Sequence, residues 1–118
     1  MDEKQVQALF LAIDRMDVEG FLSFLNEHAL FQFGNFPAAK GKQAIQIAVS
    51  NFFSSIKSLN HEILNAWSLG DVLICNGTAT YIRKDDRTIT LPFCNVFMLK
   101  NGLINEYLVY VDVSPLFA

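Results

Sequence analysis

The sequence has few charged residues and no cluster of one charge sign. Only 18% of its 118 residues are Asp, Glu, Lys or Arg, and the formal net charge at pH 7 is −3. A binding face for nucleic acid or for an anionic membrane needs a group of Lys and Arg side chains, which this chain lacks. The sequence therefore predicts neither nucleic acid nor a membrane as a partner.

Cysteine and histidine are also scarce. The two cysteines, Cys75 and Cys94, and the two histidines, His28 and His61, are dispersed without any recognised ligand spacing, so no metal site is predicted. No phosphate-binding glycine loop is present, and we expect no cofactor. The first residues are polar and acidic, unlike a signal peptide, and no apolar run approaches the roughly 18 residues of a membrane span. We expect a cytoplasmic protein with free thiols.

Hydrophobic residues are abundant. They make up 52% of the chain and include 11 Phe, which excludes a disordered chain. The length suits one domain over residues 1–118 with a hydrophobic core of its own. The apolar surplus suggests that some of these side chains line a cavity or a subunit contact.

Apolar residues at helical spacing predict three helices in the first half of the chain. The first covers about residues 3–16, the second runs from a cap at Asp17 to about His28, and the third covers about Lys42 to Lys57. A short strand over residues 29–33 is predicted between the second and third helices.

From Asn60 onward the hydrophobic period becomes two, which is typical of strands. Turn signals at 70–71, 84–87 and 101–102 divide this half into four antiparallel strands. Pro92 removes a backbone donor and predicts a bulge or a sheet edge. The fold class is therefore α+β, with three N-terminal helices packed on a curved antiparallel sheet that encloses a pocket.

The register read from these turns divides the strand side chains into two faces. One face is small, flat and almost wholly apolar, includes Tyr81, Val96, Tyr107 and Val109, and is predicted to form a homodimer. The other face mixes aromatic and hydrogen-bonding groups and is predicted to line the pocket. Its candidate ligand-binding residues are Trp67, Phe93, Phe97, Tyr110, His61, Asn65 and Asn76.

Two further residues of the predicted pocket face are candidates for catalysis. Asp112, if desolvated, would serve as an acid or base near neutral pH; alternatively, it caps the last strand through backbone amides. Asn95 would contact a ligand, or form a self-satisfied amide network with Asn65 and Asn76.

His61 would relay protons at the cavity mouth or act as a surface or capping residue. The aromatic candidates would stack on a flat ligand or fill the core.

Several short motifs, in order along nearly the whole chain, carry a family resemblance. They are Asp17-Val18-Glu19-Gly20, Gly41-Lys42-Gln43-Ala44-Ile45, the run from Val96 to Ile104, Tyr110-Val111-Asp112 and Ser114-Pro115-Leu116. In this arrangement the chain resembles the SnoaL-like proteins of the nuclear transport factor 2-like superfamily, which are related to ketosteroid isomerase and polyketide cyclases. The resemblance implies a cone-shaped α+β fold, often dimeric, with a deep cavity between sheet and helices.

The chain departs from ketosteroid isomerase at the residues that carry that enzyme's chemistry. The isomerase uses a carboxylate base before the third helix, a tyrosine on the first helix and a protonated aspartic acid on a strand. Residues 28–61 contain no Asp or Glu, and the first tyrosine is Tyr81, so the base and the helical phenol have no counterparts. Asn95 stands at the position of the strand acid, where an amide can still donate a hydrogen bond to an oxyanion.

Two functions remain open on this reading. In the first, the protein binds a small apolar or polycyclic, carbonyl-bearing molecule; Asn95 orients its oxygen, and Asp112 moves a proton in isomerase-like or cyclase-like chemistry. In the second, the chain is a non-catalytic ligand-binding or dimerisation module. The missing isomerase groups favour the second function, whereas the polar residues among pocket aromatics favour the first.

Overall fold

A capping box begins the first helix. In the computed structural model, which describes all 118 residues, α1 covers Glu3–Asp14. The side chain of Asp2 accepts a hydrogen bond from the backbone N of Gln5 at 2.8 Å, and the Gln5 side chain accepts one from the backbone N of Asp2 at 2.8 Å. The apolar stripe predicted from the sequence is buried against the sheet: Val6, Leu9, Phe10 and Ile13.

The second helix is much shorter than predicted. α2 covers only Val18–Leu22, with Asp17 as its cap, and strand β1 already begins at Leu25. The prediction of a helix to about His28 is wrong, because this segment pairs in parallel with the last strand, where Leu25 lies opposite Ile104. Pairing within a sheet outweighs local helix propensity here.

The remaining elements follow the predicted order. α3 covers Lys42–Ser54, three residues shorter than expected at its C-terminal end. The strands are β1 Leu25–Phe33, β2 Ala39–Lys40, β3 Ile56–Leu69, β4 Val72–Arg83, β5 Thr88–Lys100 and β6 Leu103–Tyr110. A short 3-10 turn over Ser114–Leu116 closes the chain.

All six strands belong to one open sheet in the order β2-β1-β6-β5-β4-β3. The four C-terminal strands are antiparallel, as predicted, whereas β1 pairs with β6 in parallel, so the whole sheet is mixed. Helices and sheet share a core of 24 buried residues. The predicted α+β fold, with three helices on a curved sheet, is confirmed.

A β-bulge in β3 reverses which side chains of this strand face the helices. Ile63 lies opposite Gly77, but Asn65 lies opposite Asn76, so Leu64 has no opposite residue. Gly77 is required at this point, because a Cβ there would lie 1.8 Å from the Glu62 carbonyl oxygen. Just before the bulge the odd-numbered residues of β3 lie on the inner face of the sheet, whereas after it the even-numbered residues do.

The turn between β4 and β5 shifts the register by one residue. Ile82 pairs with Thr88, so five residues lie between the last paired residues of the two strands instead of the predicted four. The backbone N of Arg83 donates to the carbonyl of Arg87 at 2.8 Å, and Asp86 takes the positive φ of 69° that this turn needs. A shift of one residue moves every side chain of β4 to the opposite face.

A bulge at Asn105 likewise reverses which side chains of β6 face the helices beyond that residue. Leu99 lies opposite Ile104, whereas Met98 lies opposite Glu106. Tyr107 and Val109 therefore face the helices, and the predicted faces are wrong for β4, β6 and the end of β3. Val109, expected on the dimer face, is buried in the core.

Pro92 forms no bulge. It lies opposite Thr78 in regular register. The pairing of β5 with β6 begins only at Cys94, so Pro92 lies where β5 has a free edge, which is the other outcome that its missing donor predicted.

Candidate functional site

A cavity of about 420 Å³ lies between the helices and the inner face of the sheet. Of the 21 residues that line it, 16 are hydrophobic, and aromatic rings are prominent among them. Such a volume, with a few polar groups set in apolar walls, is typical of a small-molecule site. The surplus of Phe noted in the sequence is largely used here: Phe21, Phe31, Phe33, Phe36, Phe52 and Phe93.

Asn95 brings an unpaired amide to this apolar wall. Its side chain is 2% exposed, and its Oδ1 atom is buried without a hydrogen-bond partner. Its neighbours across the sheet, Cys75 and Val109, are buried residues that offer no strong side-chain donor. Buried polar atoms nearly always have partners, and leaving one unpaired costs free energy. The Oδ1 atom is therefore available to a hydrogen-bond donor from outside the chain.

His61 is a second polar residue of the wall, and Asp14 holds it from behind. The Nδ1 atom of His61 lies 2.6 Å from Asp14 Oδ1, and its backbone N donates to Asp14 Oδ2 at 3.0 Å. The imidazole packs against the rings of Phe10 and Phe93, with centroid distances of 5.0 and 5.3 Å. Both polar side chains are largely buried, with 10% of His61 and 18% of Asp14 exposed.

Asp14 was missed by the sequence analysis. It occupies the last residue of α1, where a negative charge opposes the helix dipole. An acid at this unfavourable position was the one local signal in the sequence that Asp14 has a role in the folded chain. Its partner is 47 residues away, however, and no local pattern joins the two.

Two tyrosines also line the cavity, although the register analysis had put both on the outer face. Desolvation, with a smaller contribution from the charge of Asp14, raises the pKa of Tyr81 to about 12. Desolvation likewise raises the pKa of Tyr107 well above its ordinary value. Both phenols therefore keep their protons and can act as hydrogen-bond donors.

Of the predicted ligand-binding residues, only some meet at the cavity. His61, Phe93 and Asn95 line it, and Phe97 is fully buried beside it, with its ring centroid 4.5 Å from that of Tyr107. Trp67 and Tyr110 are instead more than half exposed.

The amide row predicted across the strands is divided by the bulge in β3. Asn65 donates to Asn76 at 3.2 Å on the outer face, away from Asn95. The predicted pocket position of Asn65 and Asn76 is therefore wrong, and the network joining them to Asn95 does not form.

Asp112 lies outside the cavity, so its predicted position on the pocket face is wrong. Its carboxylate is exposed and accepts a hydrogen bond from the backbone N of Ser114 at 3.0 Å. That hydrogen bond lowers the pKa of Asp112, the opposite of the desolvation effect expected for a buried acid. The alternative reading, a cap at the end of the last strand, describes what the structure shows.

No group of three His, Cys, Asp or Glu side chains is arranged to hold a metal ion. None of the helices has both the length and the apolar character needed to cross a membrane.

The mixed sheet, its three covering helices and the apolar cavity define a cone-shaped α+β protein with an internal site. The family model described as a SnoaL-like domain matches residues 6–107. The chain therefore belongs to the SnoaL-like family, which confirms the resemblance noted in its sequence and places it in the nuclear transport factor 2-like superfamily.

Solved structures agree with this assignment. An NTF2-like protein of unknown function from Burkholderia pseudomallei superposes with a TM-score of 0.88 and 16% identity, over 97% of this chain and 92% of that one. A hypothetical protein with a ketosteroid isomerase-like fold from Catenulispora acidiphila, in complex with trimethylamine, gives 0.87 and 13% identity over 97% and 89%.

An LEH-like epoxide hydrolase from M. tuberculosis gives a TM-score of 0.79 and 18% identity, over 97% of this chain and 84% of that one. At these identities the similarity establishes the fold. No functionally curated protein sequence matches the chain.

Proposed function

We propose that this protein binds a small, largely apolar molecule that carries a carbonyl oxygen, and that Asn95 forms a hydrogen bond with that oxygen. The observation that supports this proposal is the buried side-chain amide of Asn95 in the wall of an apolar cavity of about 420 Å³. Its N–H group is the donor that a carbonyl oxygen needs, and its Oδ1 atom, which has no partner in the chain, can accept from a donor on the same molecule. A ligand oxygen would accept from the amide N–H group, and the aromatic walls would bury the rest of the molecule.

The similar structures support a small-molecule ligand in this fold. One of them is named as an epoxide hydrolase and another holds trimethylamine. Neither names the ligand of the present chain, so the chemical class is inferred from the cavity walls.

A pair of matched probes tests the role of Asn95. The ketone 2-acetylnaphthalene and the hydrocarbon 2-isopropenylnaphthalene have nearly the same shape, but only the first has an oxygen. We expect the ketone to bind roughly two- to ten-fold more tightly in calorimetry, the range that one net hydrogen bond provides. In Asn95→Leu the difference should vanish. Failure of both probes to bind, or equal binding to the unmodified protein, would refute the proposal.

The finer version of this function is isomerase-like or cyclase-like proton transfer on the ligand. Its support is the pairing of His61, which lines the cavity, with Asp14 behind it, and this pair replaces Asp112 as the candidate proton carrier. The alternative is a non-catalytic binding module, which is supported by the absence of any carboxylate among the cavity-lining residues.

Hydrogen exchange separates the catalytic and non-catalytic versions. In D₂O, a proton-transfer enzyme should speed the replacement of the methyl hydrogens of bound 2-acetylnaphthalene by deuterium, observed by NMR. Binding without faster exchange would support the non-catalytic module.

We also propose a homodimer through the outer face of the sheet. This face presents partly exposed apolar side chains from the central strands, among them Val96, Met98 and Leu108. The exposed Tyr110 extends the same surface. Val96→Glu should lower the mass measured by light scattering, and a monomeric parent protein would refute the dimer.

The cytoplasm remains the proposed compartment. It is supported by the two free thiols, of which Cys75 is buried and Cys94 is partly exposed. Fractionation of cells that produce the protein would test this location.

A further inference from the structure

We propose that the ligand also carries a hydroxyl group, and that Nε2 of His61, oriented by Asp14, accepts the hydrogen bond of that hydroxyl. This inference rests on the proposed function, because it concerns the same cavity. It deepens that function by adding a second polar group to the ligand.

The contacts of Asp14 determine which nitrogen of His61 is free. A carboxylate is only an acceptor, so both bonds to Asp14 are donated by His61, one from the backbone N at 3.0 Å and one from Nδ1 at 2.6 Å. A neutral imidazole that carries its proton on Nδ1 has a lone pair on Nε2. The pairing therefore makes Nε2 a hydrogen-bond acceptor.

The surroundings of the imidazole leave the cavity as the source of a donor. His61 lines the cavity, and its ring packs against the apolar rings of Phe10 and Phe93, which cannot donate a conventional hydrogen bond. The hydrogen bonds of His61 go to Asp14, and neither tyrosine of the cavity donates to its ring. A hydroxyl on the ligand can supply this donor.

Phe93 lies between His61 and Asn95 along the cavity wall. It contacts His61 edge-on, with an interplanar angle of 84°, and Asn95 follows two residues later on the same face of β5. Across the sheet His61 lies opposite Ala79, which lies opposite Leu91, so Asn95 is two strands away and four residues further along. Four residues of a strand span about 13 Å. The ligand class is thus an elongated, flat apolar molecule with a hydroxyl near one end and a carbonyl near the other.

A purely structural role for the pair would be to attach α1 to β3. In that case the free energy of unfolding would depend on His61 and Asp14, but selectivity among ligands would not. Selectivity between matched probes therefore separates the two roles.

The probes are 2-naphthol and 2-methylnaphthalene, which differ by a hydroxyl in place of a methyl group. We expect the intact protein to bind 2-naphthol roughly two- to ten-fold more tightly. In His61→Asn the amide N–H can still reach Asp14, but the Nε2 acceptor is gone. The ratio of the two affinities should therefore fall to about one, which is the quantity that the test compares.

Asp14→Asn should reduce the same preference, because the new amide no longer selects the Nδ1–H form of the imidazole. Asp71→Asn, which removes an exposed charge in the turn between β3 and β4, is the matched control and should leave both affinities unchanged. A hydroxyl preference that survives in His61→Asn, or that is lost in Asn95→Leu instead, would overturn the inference.

A measurement on the unmodified protein tests the same inference if the variants fail to fold. The chain has only two histidines, so ¹⁵N NMR can follow Nε2 of His61 directly. Its resonance should move on addition of 2-naphthol and not on addition of 2-methylnaphthalene. An equal response to both probes would contradict the inference alone, whereas no binding of either probe would contradict the proposed function.

Discussion

The amide side chains on the inner and outer faces of the sheet differ in their pairing. On the outer face polar side chains pair with each other across strands: Asn65 with Asn76 at 3.2 Å, and Thr80 with Thr90 at 3.1 Å. On the inner face the amide oxygen of Asn95 is buried and has no partner. Polar groups exposed to water gain little from being paired, whereas an unpaired group in an apolar wall lowers stability. The inner face therefore carries the signature of a binding site.

The largest difference between the faces is expected for two adjacent residues of β5. Phe97 points inward and is fully buried, whereas Val96 points outward and is only partly covered. Phe97→Ala should lower the free energy of unfolding by about 3–5 kcal/mol, because it leaves a void in the core. Val96→Ala should cost a small fraction of that. Urea denaturation measures both values, and similar losses would contradict the assignment of the two faces.

Replacing an amide by leucine should change stability in opposite directions on the two faces. Asn95→Leu removes the unpaired buried group and should raise the free energy of unfolding by about 1–3 kcal/mol. Asn76→Leu breaks the outer pair and should lower it by about 1 kcal/mol or less. Chemical denaturation of both variants tests the contrast, which would fail if Asn95→Leu were destabilising.

High pH should also distinguish the inner face of the sheet, although this effect is absent near neutral pH. Burial raises the pKa of Cys75 from its ordinary 9.0 to about 12 and that of Tyr81 from 10.0 to about 12, and also raises that of Tyr107. The folded state then holds protons that the unfolded state has lost, so stability should fall as the pH rises from about 9 to 12.

The free energy of unfolding, measured at intervals over that range, checks this expectation. Cys75→Ala should make the decline shallower at its lower end, because it removes the group with the lowest ordinary pKa. A flat profile, or one that rises with pH, would show that these inner groups are not desolvated.

Much of the fold could be predicted from local signals. The stripe of Val6, Leu9 and Phe10 defines α1, and the Asn101-Gly102 pair defines the last hairpin, both as expected. The second helix was overestimated because its C-terminal part becomes the parallel partner of β6, a pairing with a segment almost eighty residues away. Parallel pairing leaves no turn signal in the sequence.

The candidate site was predicted only in part for a related reason. Phe93, Asn95 and His61 were placed correctly, because their positions depend on the alternation within one strand. Tyr81 and Tyr107 were put on the wrong face, since each lies beyond a one-residue shift in register. Asp14 was not considered, because it lies on a helix and meets His61 only in the folded chain.

The sequence by itself determined the order of helices and strands, the amphipathic stripes and most turn positions, because these depend on residues within a few positions of one another. Only the tertiary structure decided which strand side chains enter the cavity. Side chains alternate with a period of two, so the bulges at Leu64 and Asn105 each reverse the faces of the residues beyond them, and the five residues between Ile82 and Thr88 reverse the faces of β4. Of these three features, only the bulge opposite Gly77 has a clear steric requirement in the sequence, and even that needs the neighbouring strand to reveal it.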